Sequence, residues 1–175
     1  MVLSLVFAPT TARAQASLLD CPGGGYGTNI TGDLVVTSGF GDDLDDGTVH
    51  VVDVSAVFPD GIYFAGTGLG DTFYELYVNA NGNITFNQPN YTYTPQFIPF
   101  TSATPFPIIA PWYGDADFGG GGGDLWYCED LTNGRIIVTW ENVGYYNEQE
   151  GLTNTFQAVL TNPGSACGSS TGLDV

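Results

Sequence analysis

Phe73-Tyr74-Glu75-Leu76-Tyr77-Val78-Asn79-Ala80-Asn81-Gly82-Asn83-Ile84-Thr85-Phe86 is the stretch that decides the fold class. Tyr74, Leu76 and Val78 alternate with Phe73, Glu75 and Tyr77, the period of two that lets one face of a strand be buried. Asn81-Gly82 between strand formers is a strong hairpin signal, because both residues tolerate positive φ. Similar runs flank it on both sides. Thr48–Val54 and Gly61–Ala65 come before, divided by the Pro59-Asp60-Gly61 turn. Pro107–Trp112, Leu125–Cys128, Arg135–Trp140 and Thr155–Leu160 follow. Ile136–Val138 is continuously apolar, as expected of a strand covered on both faces. No window keeps apolar residues at helical spacing without Gly or Pro interrupting it.

The pattern predicts an all-β fold, a β-sandwich or partly open barrel of about eight short, mainly antiparallel strands with long Gly/Pro-rich loops. The coil from Pro89 to Pro107 is expected to be an ordered loop wrapped over the sheet. A chain of 175 residues suits one domain and is long enough to bury a core without help from disulfides. The cysteines are Cys21, Cys128 and Cys167, an odd number without CxxC spacing, and their pairing stays open. With the lone His50 they make a poor zinc set.

Two basic residues against 19 acidic ones give a formal net charge of −17. Arg13 and Arg135 are the only basic side chains besides His50, and there is no lysine. Nucleic acid is excluded as a partner, because phosphate contacts need a basic face. An anionic membrane surface is excluded for the same reason. No segment approaches the 18 apolar residues of a transmembrane helix.

The apolar run Val2–Ala8 leads into Ala12-Arg13-Ala14 and Ala14-Gln15-Ala16, both of which fit the small-x-small cleavage rule. Residues 1–16 are therefore expected to be a secretory signal peptide whose basic n-region is missing. Residues 17–175 form the single β-domain. A secreted, extracellular protein follows, with periplasmic transit if it is bacterial, as the leader's character suggests. Leu173-Asp174-Val175 reads as the start of a further strand, so the domain is expected to be truncated at its C-terminus. A cysteine beyond it would then be free to pair with Cys167.

Carboxylates gather in two glycine-flanked loops, Gly41-Asp42-Asp43-Leu44-Asp45-Asp46-Gly47 and Gly114-Asp115-Ala116-Asp117-Phe118-Gly119. Calcium takes several hard oxygens on a flexible loop, and Asp115, Asp117 and Asp124 are candidate ligands. Neither loop has the EF-hand spacing. Solvated Asx-turns explain the same residues without an ion. Tyr145 and Tyr146, expected in a turn between strands, are the aromatics best placed to stack on a ligand, while most other rings serve the core. His50 lies on a strand with no serine or cysteine motif near it, and its expected role is structural. The run Gly119–Gly123 lacks a following Lys-Ser/Thr and reads as a flexible loop. Asn29, Asn83 and Asn90 open sequons that would matter only in a eukaryotic secretory pathway, and chance explains them.

Three segments in order resemble the nidogen-like extracellular domain family. They are the hairpin Phe73–Phe86, the segment Ile109-Ala110-Pro111-Trp112-Tyr113-Gly114-Asp115-Ala116-Asp117, and Ile137–Tyr146 followed by Asn154–Leu160. The resemblance covers about residues 58–161 and departs at the C-terminus, where the family's closing strand and tryptophan are missing. It implies an extracellular module of nidogen-, tectorin- and mucin-like proteins associated with cell–matrix adhesion. It supplies no catalytic set. Asp115 and Asp117 fall on the family's acidic motif, which favours a structural or ion-linked role for them.

The expected function is a secreted, non-enzymatic domain for cell–matrix or cell-surface adhesion, whose partner is an extracellular matrix or surface protein or glycan. No cofactor is required, although calcium is possible. The alternative is a calcium-assisted, lectin-like carbohydrate-binding module using Tyr145 and Tyr146. A glycoside hydrolase ranks third, since 19 acids supply carboxylate pairs by chance.

Overall fold

The computed structural model describes residues 17–36, 43–63, 72–96, 107–119, 122–146, 149–162 and 164. The expected leader, Cys167 and the strand expected at Leu173–Val175 lie outside the described residues. The strands are β1 (Thr28–Asn29), β2 (Thr48–Val51), β3 (Ile62–Tyr63), β4 (Thr72–Phe73), β5 (Leu76–Asn79), β6 (Asn83–Thr85), β7 (Ile108–Ile109), β8 (Ala116–Asp117), β9 (Asp124–Asp130), β10 (Arg135–Tyr145) and β11 (Gln149–Thr161). A four-residue helix α1 (Asp43–Asp46) and a 3-10 turn at Thr31–Asp33 complete the described elements. No described helix is long and apolar enough to cross a membrane.

One sheet has the order β1-β9-β10-β11, with β8 also on β10; a second has the order β2-β5-β6-β7; β3 and β4 pair separately. Every ladder is antiparallel. The all-β expectation holds as an open sandwich and not a closed barrel. The strand lengths differ from it: β3, β4, β7 and β8 have two residues each, too few to show a period, while β10 has 11 and β11 has 13. β10 outruns its expected end at Trp140 because a bulge absorbs the break in alternation. The register shifts between Trp140 and Val143, and Asn142 takes φ 51° there. The Asn142 N–H donates to Thr155 Oγ1 at 2.9 Å.

The two large sheets meet across one core. Leu125, Ile136, Val138, Trp140 and Leu160 come from the first, and Leu76, Val78, Ile84, Phe86 and Ile109 from the second. Trp140 is fully buried, stacked on Phe156 at 5.1 Å, and its indole N–H donates across to the Asn79 carbonyl at 3.1 Å. Asp130 closes the β9–β10 turn, accepting from Asn133 and from the Arg135 guanidinium at 2.6 Å. Burial opposes its ionisation, but the hydrogen bonds from Arg135 and Asn133 prevail and hold its carboxyl below the usual range.

Both sheets are also covered on their outer faces. On the first, Cys128, Ile137 and Val159 stand in register, and so do Trp126, Thr139 and Gln157. The segment from Ser17 to Gly27 lies over them. Cys21 bonds to Cys128, Leu19 exchanges two hydrogen bonds with the Gln157 amide, and Tyr26 packs edge-on against Trp126. Ile137 is thereby 1% exposed, as its continuous apolar run predicts.

On the second sheet the outer face is polar and still buried. Asn79, Asn83 and Thr85 are fully buried there, and Asn90 is 5% exposed. Asn79 Nδ2 donates to Asn83 Oδ1 at 2.9 Å and to Thr85 Oγ1 at 3.2 Å, while its Oδ1 accepts the Asn90 N–H at 3.0 Å. Asn90 Nδ2 continues to Asn83 Oδ1 and the Tyr113 hydroxyl, and Thr85 donates to the Gln88 carbonyl. Residues 88–92, at the start of the loop expected to wrap the sheet, lie over this face. Residues 97–106 of that loop lie outside the described residues. The Asn83 and Asn90 side chains are closed to glycosylation in the folded protein, whereas Asn29 is exposed.

Candidate functional site

The hairpin tip organises the site. Asn79 faces Asn83, so the loop is the three residues Ala80-Asn81-Gly82 and not a two-residue Asn-Gly turn. Gly82 alone takes positive φ, at 77°, and a Cβ there would come within 2.7 Å of the Trp112 ring. Asn81 has a different task from the one its turn motif suggests. It is 1% exposed, its Nδ2 donates to Asp46 Oδ1 at 2.9 Å, and its Oδ1 accepts the Ala116 N–H at 2.9 Å. One amide therefore ties the hairpin to both acidic loops.

Those loops pack on each other. α1 carries Asp45 and Asp46, and the Phe118 N–H donates to the Leu44 carbonyl at 3.0 Å, which seats β8 beside the helix. Asp45, Asp46 and Asp115 each bring a carboxylate oxygen within 4.8 Å of the others. Asp46 is buried, and Asp45 and Asp115 are half-buried. Among the described residues this is the one group of three acidic, His or Cys side chains that converges at ligating distance.

The other sequence candidates fall as follows. Asp117 lies in β8, and its Oδ1 accepts the Gly119 N–H at 2.7 Å. Asp124 opens β9 and accepts from Asn29 Nδ2 at 2.7 Å. Neither belongs to the convergent group. Asp42 lies outside the described residues. Part of the glycine run is tightly packed and not free: Gly123 has φ 90°, and a Cβ there would overlap the Glu141 and Asn142 backbone.

Tyr145 is the last residue of β10 and is half-buried, edge-on to Trp112 at 5.9 Å, with its hydroxyl accepting from Asn154 Nδ2 at 2.6 Å. Tyr146, 59% exposed, is the ring that reaches solvent. β8 pairs with β10 through Asp117–Gly144 and Ala116–Tyr145, and the Tyr146 N–H donates to the Asp115 carbonyl at 3.2 Å. The acidic and aromatic candidates, about 30 residues apart in the chain, are thus neighbours. His50 stacks on Tyr77 at 4.3 Å and meets Glu75 at 2.9 Å, a surface pairing on the second sheet.

Burial, together with the charges of Asp46 and Asp117, raises the Asp115 carboxyl above its usual 3.8. The sign follows from linkage. A folded-state value above the unfolded one means that the folded, ion-free protein binds the proton more tightly and loses stability as pH rises through that window. Asp115→Asn should therefore stabilise the chelator-treated protein at pH 7, by less than about 1 kcal/mol for a half-exposed group. The gain should vanish below about pH 4. Thermal melts of both proteins at the two pH values measure it.

Sequence reasoning missed Asp45 and Asp46 as companions of Asp115, and Asn81 as their tether. One signal was present: Asn79, Asn81 and Asn83 recur at alternate positions, although asparagine is depleted in strands.

The family model for the nidogen-like domain matches residues 74–135 and 131–167. Among curated proteins the chain is 30% identical to Nidogen-1 of Mus musculus over 119 residues, covering 52% of this chain and 9% of that protein. It is 31% identical to Mucin-4 of Mus musculus over 132 residues, covering 57% and 4%. It is 30% identical to Alpha-tectorin of Gallus gallus over 146 residues, covering 69% and 6%. The chain thus spans less than a tenth of each of these relatives. No solved structure matches it.

Proposed function

Because the chain belongs to the nidogen-like domain family, we propose that it is a secreted, non-enzymatic extracellular domain that mediates cell–matrix or cell-surface adhesion. The observation that carries this is the family match, which runs through both halves of the core from the β5–β6 hairpin to β11. The fold supports the role, because loops carried on a packed sheet scaffold commonly supply binding residues, and here Asn81 ties both acidic loops to the hairpin. Surface-immobilised protein should retain a matrix or cell-surface protein that a scrambled-sequence control does not. Turnover of a polysaccharide or ester, abolished by Asp115→Asn, would replace this reading with a hydrolase.

A second reading, the calcium-assisted carbohydrate-binding module, is favoured by the placement of Tyr146 beside the Asp45–Asp46–Asp115 group. Hard carboxylate oxygens suit calcium, and an exposed phenol suits a sugar face. Millimolar calcium should raise the melting temperature of the protein and not that of Asp115→Asn. A glycan array with and without chelator then separates the two readings, because sharp, calcium-dependent sugar binding belongs only to the second.

A further inference from the structure

Adhesion through a protein needs a surface whose chemistry matches that protein, and one face away from the acidic group narrows the choice. β3 and β4 pair Ile62 with Phe73 and Tyr63 with Thr72. Ile62 and Phe73 join the core, which leaves Tyr63 turned outward at 58% exposure. Tyr74, 48% exposed, follows β4, and its ring lies against the Asp60–Gly61 turn, where a Cβ on Gly61 would be 3.2 Å from Cζ. The Tyr74 carbonyl accepts the Val54 N–H at 2.8 Å, which brings the exposed Asp53 alongside. Tyr127 donates its hydroxyl to Glu129 Oε1 at 3.0 Å, and burial, then the charges of Glu129 and the nearby Asp53, raise that phenol. Hydrogen bonds from Ser55 hold the Asp53 carboxyl below the usual range, so it is ionised at neutral pH.

Two exposed phenols thus stand among three carboxylates on a chain of net charge −17. We propose that the face bearing Tyr63 and Tyr74, with Asp53, Asp60 and Glu129, docks a cationic segment, an arginine- or lysine-rich stretch of another extracellular protein. This rests on the adhesion reading. Guanidinium groups stack on phenol faces and form paired hydrogen bonds with carboxylates. Charge selects the occupant, because a second copy of this chain or an anionic glycan is repelled while a basic segment is steered inward.

The probes are hexa-arginine and a neutral Gly-Ser peptide of equal length, titrated into the full chain at low and at physiological salt. Hexa-arginine should bind and the neutral peptide should not. The variant Asp60→Asn/Tyr63→Ser/Glu129→Gln should weaken binding about tenfold, as loss of one ring and two ion pairs predicts. A control with the same change of charge and ring content elsewhere, Asp20→Asn/Asp33→Asn/Tyr93→Ser, should weaken it less than about twofold. Equal loss in the two variants would overturn the proposal, leaving only attraction to net charge. Absence of binding at low salt would overturn it too. If matrix adhesion persists in either case, only this docking face fails; if adhesion is absent as well, the adhesion reading falls with it.

Discussion

Asn79→Ala should lower the stability of the fold by about 3 kcal/mol, because several buried partners lose their hydrogen bonds at once. The side chain is fully buried and bonds to Asn83, Thr85 and the Asn90 backbone. Alanine leaves the Asn90 N–H without an acceptor under the loop that covers it, and each such buried orphan costs about 1–3 kcal/mol. For a chain of this size the loss corresponds to a fall in melting temperature of about 6–12 °C. Asn29→Ala is the matched control: its amide also bonds, to Asp124, but at an exposed site, so a loss below about 1 kcal/mol is expected. If the two variants melted together, water would be replacing the buried network, and the tie between loop and sheet would not depend on it.

Removing the Cys21–Cys128 bond should cost about 3–4 kcal/mol, since the bond closes a long loop and confines the unfolded chain. The two cysteines are 107 residues apart in sequence. Cys21→Ser/Cys128→Ser, or wild type with a thiol reductant, should melt about 10 °C lower. Reductant should have no further effect on the double variant. Limited proteolysis adds a local readout, because residues 17–27 are then held over the sheet mainly by the Leu19–Gln157 pair and the Tyr26–Trp126 contact. Cleavage there should precede cleavage of β9–β11. An unchanged melting temperature would mean that the core alone sets stability.

Much of the architecture was legible because strand periodicity and turn chemistry are properties of neighbouring residues. Leu76 and Val78 alternating with Tyr77 placed β5, and Asn81-Gly82 placed the hairpin. The first half of the expected run fails, because Phe73 belongs to β4 and packs on the core while Tyr74 is exposed. Ile136–Val138 announced a strand covered twice. Legibility ended where a residue's partner lay far along the chain. Nothing near Tyr145 shows that β10 runs on through a bulge at Asn142 as far as that residue and sets its ring edge-on to Trp112. Nothing near Cys21 identifies Cys128 as its partner. Asp115 was legible as an acid, and so were Asp45 and Asp46. That these three converge while Asp117 and Asp124 bond elsewhere follows from β8 docking on α1.

The β class, the acidity and the family resemblance are all written in local order and composition. Which carboxylates meet, which tyrosine reaches solvent and which asparagines are buried are decided by antiparallel register and loop packing. The physical reason is that a hydrogen bond or a shared charge field depends on separation in space, and folding makes residues neighbours that the chain keeps up to about a hundred positions apart.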